Sequence, residues 1–485
     1  MRLIPLDFQA LGKVFLMLAL IFLCPLAVLV FYPGESRYWL SFVLPALGAA
    51  ALGGLALLAR PGAQLTWKRR WQQASVTVLL VWLLGVLFSA LPLALGQPLR
   101  FCQALFESVS AWTTTGLSVL DVSKTPYIYL FYRSFLQFCG GLGFILMMLV
   151  LLSNGESMPL FSSEGHPDKL LPAIGRSARL IFSIYTGFLV AGTVAYCVVG
   201  MPLFDSICHA MCSLSTGGFS TKLNSIGEYH SLAIELVTIV LMLLGTTNFA
   251  VLLLLVRGQI KKFCRVSEMR FLFLLLVLSI PPVALSLHQG LRMPWGESVE
   301  RSAFDVISAL STTGYSSMAY TDWPPFALAL LILLMLIGGG IGSTAGGMKL
   351  SRVYQAFRSL GYYLRKQQFF HRQVEDVYYY SSQGRSRLSP ADMVQNFAFL
   401  GLYLLTFAAG SLLILLFNPC SIAEAMFEFA SSLGTVGLSI GITGPLTNTP
   451  TLIVEIFGML LGRLEIVIVF LGFRNLFSLF RKRAR

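Results

Sequence analysis

Apolar residues gather in ten long runs, at roughly 12–32, 39–59, 75–96, 127–152, 178–200, 231–256, 270–290, 326–348, 393–417 and 451–473. At a rise of ~1.5 Å per residue, a helix of about 20 residues crosses a hydrocarbon core of about 30 Å. Shorter segments of mixed polarity, at about 101–118, 203–220, 300–316 and 423–439, sit between runs three and four, five and six, seven and eight, and nine and ten. They are too short and too polar to span. The pattern predicts an all-α polytopic membrane protein with ten transmembrane helices. Spans three to ten form four units of span, re-entrant segment and span, and spans one and two stand outside the repeat. The expected division is 1–70 for the two N-terminal spans, then 71–160, 161–258 and 259–350 for the first three units. A cytoplasmic linker follows at 351–390, helical with a loop around Ser381-Ser382-Gln383-Gly384, and the fourth unit covers 391–485.

Composition agrees. The chain has 485 residues, 56% of them hydrophobic and 12% charged, where a soluble protein carries about a quarter charged residues. The first run lacks a small-residue cleavage site after it, so no cleavable signal peptide is expected. The net charge of +13 reads as positive-inside topology rather than nucleic-acid binding. Arg60, Lys68, Arg69 and Arg70 follow run two, and Arg257, Lys261, Lys262, Arg265 and Arg270 separate runs six and seven. Lys349, Arg352, Arg358, Arg365, Lys366, Arg372, Arg385 and Arg387 separate runs eight and nine, and Arg474, Arg481, Lys482, Arg483 and Arg485 follow run ten. All fall on one side, which places both termini in the cytoplasm and opens the four short segments to the outside. A docking surface for an acidic partner is the alternative reading of these clusters. The eight scattered cysteines form no CxxC pair and read as small buried apolar residues.

The short segments end in one pattern, Thr-x-Gly-apolar-Ser. The copies are Thr114-Thr115-Gly116-Leu117-Ser118, Thr216-Gly217-Gly218-Phe219-Ser220, Thr312-Thr313-Gly314-Tyr315-Ser316 and Thr435-Val436-Gly437-Leu438-Ser439, with glycines 102, 96 and 123 residues apart. Their run-ups match as well. Ten residues before the glycine stands Phe106, Cys208, Phe304 or Phe427, then Glu107, His209, Asp305 or Glu428, and six before it Ser110, Cys212, Ser308 or Ser431. Matched positions point to duplication of one unit.

Physically, each segment reads as a half-helix whose negative C-terminal end favours a cation, followed by an extended return. There glycine lets successive carbonyls replace a cation's hydration shell. Irregular backbone at this depth is tolerated only in protein or along a watery path. Thr435-Val436-Gly437 also matches the start of the Thr-Val-Gly-Tyr-Gly strand of potassium-channel filters. The acidic or histidine position admits two roles, concentrating cations at the mouth or bracing the half-helix.

On these motifs the chain resembles the Trk/Ktr/HKT superfamily of potassium transporters, most closely the bacterial TrkH type, over nearly its whole length. The resemblance implies potassium uptake across the bacterial inner membrane, with no cofactor beyond the transported ion. It makes Thr114, Thr115, Gly116, Thr216, Gly217, Gly218, Thr312, Thr313, Gly314, Thr435, Val436 and Gly437 the selectivity filter. Glycine at all four filter positions, Gly116, Gly218, Gly314 and Gly437, implies potassium preference. Three copies depart from Gly-Tyr-Gly by carrying Leu117, Phe219 and Leu438, and no copy has the second glycine. The expected filter is shorter and less strict than a channel's, with room for residual sodium permeation. The resemblance also implies a homodimer with one pore per protomer and a separate TrkA-like cytoplasmic subunit that binds nucleotide.

Two features lie beyond the filter. Run eight ends in Gly338-Gly339-Gly340-Ile341-Gly342-Ser343-Thr344-Ala345-Gly346-Gly347-Met348-Lys349, too rich in glycine for a regular helix at about 1 kcal/mol each. A phosphate-binding loop fails because Met348 stands where lysine is required. Small-residue helix packing is one reading; a broken helix across the pathway is the better one, and the resemblance makes Gly338, Gly339, Gly340, Gly342, Gly346 and Gly347 an intramembrane gate. Arg463 sits near the middle of run ten, where a charge costs about 2.5–3.5 kcal/mol and needs a polar partner. Glu465, two residues on, is a poor one. A structural ion pair with another span is one role for Arg463; the resemblance implies projection into the pore under the filter. Arg133 with Gln137, and Glu235 with Asn248, are expected to brace the pore.

An enzyme is disfavoured: HExxH, GxSxG and paired intramembrane aspartates are missing, and the five histidines are scattered. Sodium- or proton-coupled potassium symport through the same pore is the alternative to channel-like flux, which the lack of an evident intramembrane carboxylate or histidine relay favours.

Overall fold

The computed structural model describes residues 8–59, 67–143, 174–368 and 376–464, together with 466, 469, 470, 472 and 474. These residues are predominantly helical, and many of their leucines, valines and phenylalanines face outward, the reverse of a soluble surface and apt for lipid. Helices α1 (Phe8–Leu23) and α2 (Trp39–Leu57) pack face to face. Their glycines make the contact: a Cβ on Gly12 would stand 2.9 Å from Gly53 O, and one on Gly53 would stand 2.9 Å from Gly12 O. Small residues allow this approach where lipid supplies no hydrophobic drive. Next come α3 (Trp67–Ser89), the short α4 (Leu91–Gly96), α5 (Phe101–Trp112) and α6 (Tyr127–Leu142). They are followed by α7 (Ile174–Val198), α8 (Leu203–Leu214), α9 (Leu232–Thr246), α10 (Phe249–Val256) and the single turn α11 (Ile260–Phe263). The remaining helices are α12 (Ser267–Leu291), α13 (Trp295–Ser311), α14 (Pro325–Ile337), α15 (Leu350–Gln368), α16 (Pro390–Phe417), α17 (Ile422–Leu433) and α18 (Thr449–Arg463).

Six helical stretches among the described residues are long and apolar enough to cross a membrane, or seven if the bent pair α9 and α10 is one span. Of the other expected spans, α6, α14 and α18 are shorter as described; residues 144–152 and Glu465 lie outside the described set. So do Arg60, Arg372 and residues 481–485 of the basic clusters.

Three expectations need correction. The sixth run is broken: α9 and α10 meet at a bend of 118°. Asn248 Oδ1 accepts Ala250 N at 2.7 Å and starts a new helix, while carbonyls at the end of α9 are taken by the glycine-rich stretch of the same chain: Gly340 N donates to Thr246 O at 3.0 Å and Thr344 N to Gly245 O at 3.3 Å. The stretch around Ser381–Gly384 is no mere loop in an all-α protein but an antiparallel hairpin, β1 (Val377–Ser381) paired with β2 (Gly384–Leu388). Three consecutive tyrosines favour the strand, and Gly384 (φ +121°) permits the turn. Tyr380 N donates to Ser267 Oγ at 3.0 Å, which docks the hairpin on the start of α12. The cysteines are not uniformly buried: Cys139, Cys208 and Cys212 are, whereas Cys24, Cys197 and Cys264 are exposed.

Packing at the centre is close. Gly140 in α6 lies against the last residue of α5, so that a Cβ there would overlap Trp112 O. Gly140→Ala is expected to destabilise the protein by about 1–3 kcal/mol, the usual cost of overpacking. Thermal unfolding in detergent checks this, and an unchanged midpoint would contradict so close an approach.

Candidate functional site

The four Thr-x-Gly segments share one backbone construction. Helices α5, α8, α13 and α17 each stop just before the motif, and the stop is the same hydrogen-bond pair in every copy. Thr114, Thr216, Thr312 and Thr435 donate their N–H to Ala111, Ser213, Ala309 and Ser432 O at 3.1–3.2 Å. The next residues, Thr115, Gly217, Thr313 and Val436, donate to Ser110, Cys212, Ser308 and Ser431 O at 2.8–3.0 Å. This is a helix C-cap whose left-handed position, usually glycine, holds threonine at φ +55°, +52°, +56° and +50°. A β-branched residue there costs of order 1–3 kcal/mol and persists only where its surroundings hold it. Two residues on, Gly116, Gly218, Gly314 and Gly437 have φ of +95°, +72°, +83° and +100°.

These glycines close a ring. A Cβ on Gly116 would overlap Gly217 O; on Gly218, Thr313 O; on Gly314, Val436 O; and on Gly437, Thr115 O. Each segment thus presses the carbonyl oxygen of its x residue into the space a side chain would fill on the preceding segment, and the fourth returns to the first. The four threonines are fully buried, while the four glycines keep partial exposure. The ring therefore combines helix C-terminal ends, carbonyl oxygens and accessible glycine backbone, all features that suit a cation shedding water.

The outward return of each segment is held from behind. Ser110 Oγ donates to Leu117 O at 2.6 Å and accepts Gly116 N at 3.0 Å. Ser308 Oγ donates to Tyr315 O at 2.6 Å, and Ser431 Oγ accepts Gly437 N at 3.0 Å. The acidic or histidine position does the same work one turn earlier. Glu107 Oε1 accepts Ser118 Oγ and Val119 N, both at 2.6 Å, and Leu120 N at 3.1 Å. Asp305 accepts Ser317 N and Oγ and the Tyr320 hydroxyl. Glu428 accepts Ser439 Oγ, Ile440 N and both donors of Thr443. His209 Nε2 lies 3.0 Å from Ser220 Oγ. All four are completely buried, so of the two roles open to this position, bracing is the one the geometry fits.

Of the expected braces on the spans, Arg133, Gln137 and Glu235 reach the segments or their flanks, whereas the Asn248 side chain caps α10 instead. Arg133 Nε pairs with Glu107 at 3.0 Å, its Nη2 donates to Ser118 Oγ at 2.8 Å, and its guanidinium carbon lies 3.9 Å from the centre of the Phe219 ring. It thereby ties the first segment to the second. Gln137 Nε2 donates to Gly217 O at 2.5 Å and its Oε1 accepts Phe219 N at 3.1 Å. Glu235 pairs with Arg301 Nη1 at 3.1 Å, and the same nitrogen donates to Ser317 O.

The glycine-rich stretch is a loop, 338–349, lying across the threonine end of the ring. Gly338, Gly342 and Gly347 have φ of +70°, +68° and +77°, and Gly339 N donates to Gly346 O at 3.3 Å, narrowing the loop at its neck. Gly340 receives Thr246 as its hydrogen-bond acceptor, and Gly342 O accepts Phe249 N at 3.1 Å, so the loop fits into the break between α9 and α10. It reaches all four threonines. Thr344 Oγ1 is 3.1 Å from Thr216 Oγ1, Thr344 O accepts Thr114 Oγ1 at 3.5 Å, and Gly346 N donates to Thr312 Oγ1 at 2.8 Å. A Cβ on Gly346 would overlap Thr435 Oγ1. Arg463, at the end of α18, pins the loop to α6: Nη1 donates to Thr344 O at 2.5 Å and Nη2 to Gly140 O at 2.6 Å.

Sequence reasoning passed over two residues of this assembly. Thr344 is its hub, yet a lone threonine among glycines carries no signal. Glu455, fully buried in α18 beside the fourth segment, is an acidic residue in an apolar run, which was signal enough.

Comparison with known proteins came to one answer. The sequence model of a family described as TrkH, cation transport protein, matches residues 49–478. The chain is 33% identical to the Trk system potassium uptake protein TrkG of Escherichia coli K12, over 93% of this chain and 94% of that protein. It is 32% identical to the potassium uptake protein TrkI of Halomonas elongata, over 95% of this chain and 94% of that one. The crystal structure of the potassium transporter TrkH from Vibrio parahaemolyticus superposes with a TM-score of 0.82 at 27% identity, covering 96% of this chain and 98% of that chain.

The buried Arg133–Glu107 pair gives a direct test of the bracing. Arg133→Met leaves Glu107 charged and unpaired, an expected loss of about 3–5 kcal/mol. Adding Glu107→Gln should recover part of it. A single variant as stable to heat as the parent would contradict the brace.

Proposed function

The chain belongs to the TrkH family of cation transport proteins, and from that premise we propose that it takes up potassium through one pore lined by its four Thr-x-Gly segments. The observation that carries the reading is the closed ring. Four carbonyl oxygens, from Thr115, Gly217, Thr313 and Val436, each rest against the preceding segment's glycine backbone. A potassium ion's hydration shell is replaced by such oxygens, and glycine at all four ring positions leaves room for them. The names of TrkG and TrkI, both potassium uptake proteins, support potassium as the ion. Relatives of this kind are transporters, not enzymes, and the ion is cargo rather than cofactor.

The finer reading is a pore of four duplicated units with ten spans, both termini in the cytoplasm and the ring opening outward, in a bacterial inner membrane. The basic clusters support that orientation. The homodimer and the TrkA-like nucleotide-binding partner rest on the family resemblance, with the basic inner face as the docking surface.

The loop 338–349 is the gate in this reading. It occupies the threonine end of the ring, and Arg463 holds it there through Thr344 O while placing positive charge on the cation's path. Opening then requires the loop to leave Thr114, Thr216, Thr312 and Thr435. Coupled symport of sodium or protons is the second reading, and one observation favours it: the buried carboxyl groups Glu428 and Glu455 beside the fourth segment.

Two variants test the pore. Gly116→Ser puts a side chain at φ +95° against Gly217 O, so potassium-over-sodium selectivity in reconstituted flux is expected to drop at least several-fold; unchanged selectivity would count against the filter. Arg463→Ala is expected to raise potassium flux about tenfold, the effect of ~1.4 kcal/mol off a barrier. Unaltered or lower flux in a folded protein would sink the gating role.

A further inference from the structure

Behind the fourth Thr-x-Gly segment, two carboxyl groups meet one hydroxyl. Thr443 Oγ1 lies 2.7 Å from Glu455 Oε1 on α18 and is in hydrogen-bond contact with Glu428 Oε1 on α17. Glu428 and Glu455 are fully buried. Each oxygen–oxygen contact this short needs a hydrogen between the two atoms. The threonine hydroxyl supplies one, and an ionised carboxylate supplies none. The second hydrogen must therefore sit on a carboxyl.

The surroundings say which one. Glu428 is ringed by donors: Ser439 Oγ at 2.7 Å, Ile440 N at 3.0 Å and Thr443 N at 3.0 Å, besides the hydroxyl. That environment suits a carboxylate. Among the described residues Glu455 has the Thr443 contact alone, and its Oε2 is buried with no hydrogen-bonding partner. An ionised carboxylate so placed would be very costly, whereas the carbonyl oxygen of a neutral acid left bare costs much less.

Among the described residues, the neighbouring elements bring no cation to either carboxyl group. Helix α5 contributes Cys102 and Glu107, the latter paired with Arg133. Helix α16 contributes Tyr403, which donates to Leu433 O, and Asp392, which caps Ser389. Glu424 of α17 accepts Ser421 N. The basic residue on α18, Arg463, lies at its far end on Thr344 O and Gly140 O. The turn 434–448 carries no titratable side chain.

We propose that Glu455, Thr443 and Glu428 form a proton-binding site in which the Glu455 acid donates to the Thr443 hydroxyl and that hydroxyl donates to the Glu428 carboxylate. One proton binds or leaves as a unit. When it leaves, two carboxylates share one hydroxyl hydrogen, and one short contact becomes repulsive. Glu428 holds Ser439, Ile440 and Thr443, the turn following Gly437, so the occupancy of this site sets how firmly the fourth segment is held. Flux and selectivity then depend on pH through a group that is not part of the ring.

Infrared spectroscopy of the purified full chain tests the proton directly. The carbonyl stretch of a protonated carboxylic acid is expected at neutral pH, shifted in heavy water, bleached on raising pH and lost in Glu455→Gln. Its absence from the parent protein, or its persistence in both Glu455→Gln and Glu428→Gln, would overturn the site, whatever the fate of the pore. The link to transport rests on the pore reading and has its own arm. Potassium-over-sodium selectivity in proteoliposomes is expected to fall as the band bleaches in the parent and to stay level in Glu455→Gln, whose amide keeps the neutral shape. Matching pH profiles in the two proteins would overturn that link.

Discussion

The assembly depends on a single backbone constraint: the carbonyl oxygen of one Thr-x-Gly segment occupies the place of a side chain on the preceding one. The approach is possible only because Gly116, Gly218, Gly314 and Gly437 lack a Cβ and sit at positive φ, and the four contacts close on themselves. Left-handed threonine before each glycine is strained. Strained backbone without regular hydrogen bonding, held at membrane depth, must be satisfied by protein. Much of the surrounding polar chemistry follows from that demand. Ser110, Ser308 and Ser431, then Glu107, His209, Asp305 and Glu428, spend their hydrogen bonds on the segments' outward returns. Arg133 and Gln137 fasten neighbouring segments to one helix.

The threonine end of the ring obeys the same logic through one loop. Loop 338–349 ends α14 with glycines, fills the break between α9 and α10, spends its amides and Thr344 on Thr114, Thr216, Thr312 and Gly245, and packs Gly346 against Thr435. Its contacts are individual hydrogen bonds to backbone and hydroxyl groups rather than interdigitated apolar side chains. Such bonds are worth about 0.5–1.5 kcal/mol each, so the loop is held by a sum of small terms that Arg463 completes. That arrangement suits the gating role proposed for the loop.

How much was legible in the sequence depended on whether the determinant was local. Glycine recurring after Thr-x, serine (or Cys212 in the second copy) six before it and an acidic residue or histidine nine before it are local demands of one backbone shape, and they stand in plain view four times. The glycine-rich end of α14 was legible for the same reason. The break at Asn248 was not, because the carbonyls freed by the bend are satisfied by a loop almost a hundred residues away. The hairpin at Val377–Leu388 left a signal, three tyrosines and a glycine turn, that a helical expectation for the linker overrode. Glu455 left a local signal as an acidic residue in an apolar run, but its partner Thr443 emerges only when α18 packs on α17.

The central claim, one selective cation path through the ring, is tested most directly by ion flux. Purified chain in liposomes should carry rubidium and potassium down their own gradients, sodium far less, with no imposed proton or sodium gradient. Equal sodium and potassium flux, or potassium movement only when a second ion's gradient is imposed, would contradict it.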